Sequence, residues 1–172
     1  MKRTLLELTQ SILNDLDGEA VNSIFDTEEA IQYANVVRDT YFNIVAARQT
    51  PEHDELLKLT ALSDATKPTI LKYPTNLKEI RLFEYDGKEV YWKDPIRFLD
   101  NLPNADDPNV VSFTDPVSGI VLTCRSDKGP RYYTSFDNEY LICDSFDLSV
   151  DTTLQESKTR CWGTKYPTFT MS

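Results

Sequence analysis

Pro51 separates two different periodicities. Before it, apolar residues recur every three or four positions, the spacing of one helix face. After it they alternate with polar residues, the spacing of a strand. A chain patterned this way is neither a uniform helical bundle nor a uniform sheet, so helical and β-rich parts must follow one another along it.

The N-terminal part predicts two helices. Thr4 and Glu7 form a capping-box pair, in which the threonine hydroxyl accepts from an early amide and the glutamate reaches back. Leu5, Leu8, Ile12 and Leu16 follow on one face, Leu6 and Leu13 widen it, and Gly18 suits a left-handed helix end. Asp26 and Glu29 repeat the capping pattern. A second helix is expected over Thr27–Arg48, with Ile31, Ala34, Tyr41, Ile44 and Val45 on its buried face and Pro51 enforcing the stop. Two such helices make an αα-hairpin with apolar surface left on its flanks, which calls for a third helix or a neighbouring chain.

Beyond Pro51, Leu57, Leu59 and Ala61 alternate with polar residues, and Ile70, Ile80, Leu82 and Phe83–Tyr85 are strand-like. In "YDGKEVYW", Asp86-Gly87 is a two-residue hairpin signal, because glycine tolerates positive φ. Asp94-Pro95 predicts a cap and a first helical residue, opening a short helix through Leu102. "VVSFT", "IVLTCR", "RYYTSF" and "EYLICDSF" predict strands, separated by turns in "DPVSG", "SDKGP" and "DNE". The expected fold class is therefore α+β: an N-terminal helical hairpin or bundle over residues 1–50, an antiparallel β-rich section with one short helix over 51–155, and an extended C-terminal segment over 156–172.

Composition removes several functions. With 172 residues and a 40% hydrophobic fraction, the chain can bury a real core. No apolar run approaches the ~20 residues that span a bilayer. Lys2 and Arg3 precede an apolar stretch, but Glu7 and Gln10 interrupt it and no small-residue cleavage site follows, so a mature cytosolic start is expected. Cys124, Cys143 and Cys161 are far apart and odd in number, which predicts buried free thiols rather than a zinc site. A net charge of −10 disfavours nonspecific attachment to a phosphate backbone, and suits a surface that DNA slides past.

Catalytic patterns are missing. Asp137, Glu139, Asp144, Asp147 and Asp151 crowd into "FDNEYLICDSFDLSVDTTLQ", but the spacing is wrong for a calcium loop and no glycine provides its sharp turn. A solvated edge or subunit rim is expected there instead, although two of these carboxylates at the right separation would suit glycoside hydrolysis. In "YLICDSF", Leu141 and Cys143 are expected on one side and Tyr140, Ile142 and Asp144 on the other. The lone His53 is expected to be an exposed loop residue. Five scattered glycines exclude a P-loop and a dinucleotide fingerprint. Trp92, Tyr132, Tyr133, Tyr140 and Trp162 have no basic run among them and are expected in the core or an interface. No catalytic, cofactor-binding or metal-binding residue is assigned.

Three passages carry a resemblance. "TLLELTQSILNDLDGEAVNSIFDT" with "VVRDTYFNIVAAR", then "KPTILKYPTNLKEIRLFEYD", then "YYTSFDNEYLICDSFDLSVDTTLQESKTRC" resemble the head-to-tail adaptor proteins of short-tailed bacteriophages, the group also called tail tubular protein A. The similarity lies in extended text covering most of the chain, not in a catalytic motif. It implies a helical bundle carrying an inserted β-domain, assembled as a twelve-membered ring between the portal protein and the tail nozzle protein. It also implies transient, non-specific passage of genomic DNA through the lumen. No enzymatic activity, no cofactor and no membrane partner are implied, and the location implied is the virion head–tail junction after assembly in the host cytoplasm. Members of that group continue into a C-terminal helix that contacts the portal, whereas this sequence ends at "YPTFTMS". Two other functions remain as alternatives: a carbohydrate-active or metal-dependent enzyme using the 137–151 carboxylates, and a non-enzymatic protein-binding module.

Overall fold

The structure, a computed structural model, describes residues 28–47 and 53–166. The chain divides into two compact units. Asp54–Thr164 forms one, and the flanking stretches Met1–His53 and Lys165–Ser172 form the other.

In the flanking unit, α1 spans Glu28–Ala47. Its covered stripe runs through the buried Ala34 and the half-buried Tyr41 and Phe42, with the Phe42 ring 6.0 Å from the Tyr166 ring. Ile44, expected on that stripe, is 49% exposed. Ten residues on from Ala34, it stands about 80° round the helix, past the edge of the buried strip. The helix expected between Thr4 and Gly18 lies outside the described residues.

The continuous unit is β throughout, apart from one short helix and one 3₁₀ turn. Its strands are β1 (Asp54–Leu57), β2 (Thr60–Ala61), β3 (Ile70–Lys72), β4 (Leu77–Tyr85), β5 (Lys88–Glu89) and β6 (Tyr91–Trp92). The helix α2 (Pro95–Leu99) follows, then β7 (Val110–Thr114), β8 (Val121–Arg125), β9 (Tyr132–Thr134), β10 (Tyr140–Cys143) and β11 (Thr159–Lys165). They form a four-stranded sheet ordered β1-β11-β4-β5, a five-stranded sheet ordered β2-β3-β10-β9-β6, and the hairpin β7-β8. β6 and β9 run parallel.

Local chemistry explains several of these elements. Asp86 and Gly87 both adopt positive φ, 51° and 74°, so the two-residue turn between β4 and β5 has the twist that a tight hairpin requires. Asp94 caps α2 by accepting from the Ile96 and Arg97 amides at 3.1 and 3.3 Å, with Pro95 in the first turn. The regular helix stops at Leu99, and the Leu102 amide bonds back to the Leu99 carbonyl three residues before it in a tighter turn. At the β7–β8 tip, Asp115 accepts from the Ser118 amide and hydroxyl at 2.7 and 2.6 Å, while Gly119 supplies a φ of 71°.

The expected α+β class, with an N-terminal helical hairpin or bundle, is corrected by these elements. Among the described residues, eleven strands stand against α1 and the five-residue α2, and no helical hairpin is present. The physical reason lies in the core. Leu57, Leu59, Ile70, Leu71, Phe83, Leu122, Leu141, Ile142, Leu154 and the other members of the buried apolar cluster all come from the β unit. The short strands therefore seal their own interior without a helical layer.

β11 lies in the segment expected to be extended. It is a central strand, with Cys161 opposite Leu57 of β1 and β4 on its other side. Gly163 makes that position possible, because a Cβ there would collide with the Glu79 carbonyl and approach Leu57 Cδ1 at 2.8 Å.

Candidate functional site

The acidic stretch disperses in three dimensions. Asp137 accepts from the amides of Glu139 and Tyr140 at 2.7 and 2.9 Å, closing the turn in which Asn138 has a φ of 60°. Asp144 accepts from the amides of Arg131 and Tyr132, both at 2.9 Å, and so ties the end of β10 to the start of β9. Asp147 accepts from the Ser149 amide at 3.0 Å. Asp151 accepts from the Thr152 amide at 2.6 Å and from the Gln155 side chain. The Gln155 hydrogen bond, followed by the Thr152 amide, holds the Asp151 carboxyl below its ordinary range, the opposite of what a proton-donating acid needs. Among the described residues, no group of three or more His, Cys, Asp or Glu side chains is placed to hold a metal ion.

The expectation that this stretch forms a solvated edge or rim is corrected at its first half. β10 pairs with β3 on one side and β9 on the other. Leu141, Ile142 and Cys143 are all buried, so both faces of this internal strand are covered. Over residues 147–153 the chain is nearer the surface, with Leu148 and Val150 exposed, before Leu154 turns back into the core.

Cys124, Cys143 and Cys161 are free and buried, as their spacing predicts. Burial pushes the Cys124 and Cys161 thiols up to about 12 and Cys143 well above its usual value. The reactive thiolate is thereby suppressed at neutral pH. His53 is half-buried rather than exposed: its Nε2 lies 2.9 Å from the Tyr41 hydroxyl, with the two rings edge-on.

The aromatics split between two environments. Tyr133 is buried, edge-on to Phe83 at 5.3 Å and to Trp92 at 5.4 Å. Tyr91, Trp92 and Trp162 stay exposed. Cations that are scattered along the sequence gather beside one of these groups. Lys93 Nζ sits 4.5 Å from the Tyr132 ring centroid and the Arg131 guanidinium 5.3 Å from it. The signal is present in the text as "KEVYWK" and "KGPRYY", two short segments that each hold two aromatics and two cations. Neither segment is a basic run, so the pattern is visible only when the two are placed together.

Two surface clefts belong to the β unit. The larger, about 900 Å³, opens between Leu56–Lys58 and the 151–159 segment and is crossed by the Lys58–Glu156 ion pair at 2.5 Å. Its lining includes Ser63, Thr152 and Ser157, with neither histidine nor cysteine to activate them. The smaller, about 210 Å³, is lined by Lys88, Lys128 and Lys158 together with Asp86, Asp147 and Asp151.

No family profile and no curated protein matches the sequence. Among the described residues, no helix is long and apolar enough to cross a membrane. The features that remain are an internally sealed β unit, apolar side chains outside its core, and a group of cations that form no ion pair with a described residue.

Proposed function

We propose that the chain is a structural subunit of a bacteriophage head–tail junction. In this reading, copies assemble into a twelve-membered ring that joins the portal to the tail nozzle and lines the DNA exit channel, without enzymatic activity. The observation that carries the reading is the apolar surface left over once the core is complete. Val117, Ile120 and Val121 stand exposed within five residues at the β7–β8 tip, and Val36 and Ile44 stand exposed on α1. Isolated exposed apolar residues are ordinary, but three at the tip of one hairpin form a patch that suits burial by a neighbour. A contact between different faces of identical copies closes into a ring when its rotation allows.

Two further points support it. The β unit Asp54–Thr164 is inserted between the two flanking stretches of the chain, in keeping with the resemblance. The net charge of −10 lowers the tendency of DNA to adhere to a channel wall. The test is to isolate head–tail junctions from virions of the encoding phage, identify their proteins by mass spectrometry, and determine their symmetry by cryo-microscopy. The expected result is this chain in a twelvefold ring beneath the portal. Its absence from the junction overturns the proposal.

A further inference from the structure

A ring of identical copies needs two different surfaces on each copy, one presented and one receiving. The β7–β8 tip has the character of the first. Between Pro108 and Cys124 the sequence holds one charged residue, Asp115, in a chain whose charged fraction is 27%. Asp115 is itself buried, and the exposed side chains from Pro116 to Val121 carry no charge. Depletion of charge around apolar side chains marks the centre of an interface. The tip is also held in shape. The Asp115 carboxylate accepts from the Ser118 amide and hydroxyl, that hydroxyl accepts from the Ile120 amide at 3.3 Å, and the Gly119 amide donates to the Asp115 carbonyl at 3.1 Å. A tip already ordered loses little freedom on docking.

The 900 Å³ cleft has the character of the second. Its apolar lining is Leu56, Leu57, Ala61, Ala65 and Leu154, and Leu56 is 69% exposed there. Leu56 and Leu57 belong to β1 and Ala61 to β2, and each of these strands is the edge of its sheet, so the cleft lies where neither sheet continues. Its charged side chains are Lys58, Asp151 and Glu156, with Lys58 paired to Glu156. Among the described residues, no part of the β7–β8 tip lines the cleft of its own copy.

We propose that the β7–β8 tip of one copy inserts into the 900 Å³ cleft of the next. The inference rests on the ring reading and names the contact that would build it. Charge favours this occupant. Each copy carries a net charge of −10, so two copies repel wherever carboxylate-bearing surfaces meet. The tip brings no exposed charge to a cleft lined by two carboxylates and one lysine, and so avoids that repulsion. An anionic partner would meet it, and a cationic one would compete with Lys58 for Glu156. An inserted tip is touched on both faces, so the consecutive residues Ile120 and Val121 are both covered whichever side each points to. Because the presenting and receiving surfaces differ, the contact passes from copy to copy instead of ending at a pair.

The test is sedimentation velocity of the full-length protein over rising concentration, with and without sodium sulfate. Species larger than a monomer are expected, and sulfate should enlarge them, because it screens like charges and strengthens apolar burial. Ile120→Asp on the tip and Ala65→Trp in the cleft should each weaken self-association more than about tenfold. Both positions are exposed, and thermal unfolding checks that each variant is folded. Mixing the two variants reads the arrangement. Each lacks one surface and keeps the other, so an equimolar mixture should form one-to-one pairs that grow no further. Absence of self-association in sulfate overturns the proposal. So does association unaffected by Ala65→Trp, the mark of tips meeting tips, or a mixture of the two variants that stays monomeric. A twelvefold ring found at the junction without this contact would overturn the inference and leave the structural reading standing. One-to-one pairing in solution with the chain absent from the junction would do the reverse.

Discussion

Residues 137–151 hold five carboxylates, and the fold disperses them among separate local structures, namely a turn, a strand junction and surface loops. Segments 88–93 and 128–132 hold four cations that are sparse along the chain, and the fold brings them alongside one another without ion-pair partners among the described residues. The contrast teaches that charge density along a sequence does not measure charge available to a ligand. A carboxylate that follows or precedes free amides by two or three residues is satisfied by its own backbone. A lysine has no backbone acceptor fixed within its reach and remains available. Asp144 links the two regions, because its carboxylate holds the amides of Arg131 and Tyr132 and so positions one edge of the second region.

The largest effect should come from the apolar centre of the acidic stretch. Leu141, on the internal strand β10, is fully buried. Leu141→Ala should cost about 3–4 kcal/mol in urea unfolding, through lost transfer energy and the cavity left behind. If the carboxylates around it proved more costly to remove, the view of this stretch as a packed strand with polar turns would break.

Next comes Asp144→Ala, which strips two amides of a charged acceptor and should cost about 2 kcal/mol, read by the same unfolding measurement. Asp144→Asn should cost less, because an amide oxygen still accepts. An Asp144→Ala protein of unchanged stability would show that the strand junction holds its shape without the acidic region.

A smaller effect concerns pH. Asp64, Asp127 and Asp151 are held below the ordinary carboxylate range by hydrogen bonds from Thr66, Arg125 and Gln155 respectively. A depressed folded-state pKa contributes stability that is fully present above the unfolded value, about 4, and lost as pH falls through the folded value. Thermal unfolding should therefore show a shallow acid limb below about pH 4, flatter in a variant with all three changed to Asn. Asp127 is exposed and Asp64 and Asp151 are partly exposed, so an acid limb unchanged in that variant would move the acid sensitivity to other carboxylates.

The smallest effect is expected at segments 88–93 and 128–132. Lys128→Gln removes a charge that forms no ion pair with a described residue, and should shift stability by no more than about 0.5 kcal/mol. A larger loss would mean that Lys128 supports the fold, and would erase the contrast between satisfied and available charge.

Legibility follows distance along the chain. The Asp86-Gly87 hairpin, the Asp94-Pro95 helix start, the "DPVSG" turn and the buried thiols are readable, because each depends on groups a few residues apart or on side-chain size alone. The strand role of 159–165 is not, since its partner Leu57 lies about a hundred residues from Cys161 and the need for Gly163 is set by the Glu79 carbonyl. The exposure of Ile44 is hidden for the same reason: a helical repeat shows that a face exists but not where its partner ends.

Local patterning, then, is enough for where strands begin and turn, for the acidic balance, and for the lack of a recognisable catalytic motif. Tertiary structure alone decides that β10 and β11 are internal, that the β unit seals its core from its own residues, and that isolated lysines gather beside Tyr91 and Trp92. The physical reason is range. Turns and caps are closed by bonds between near neighbours, whereas burial and charge clustering are properties of surfaces that exist only after distant strands have paired.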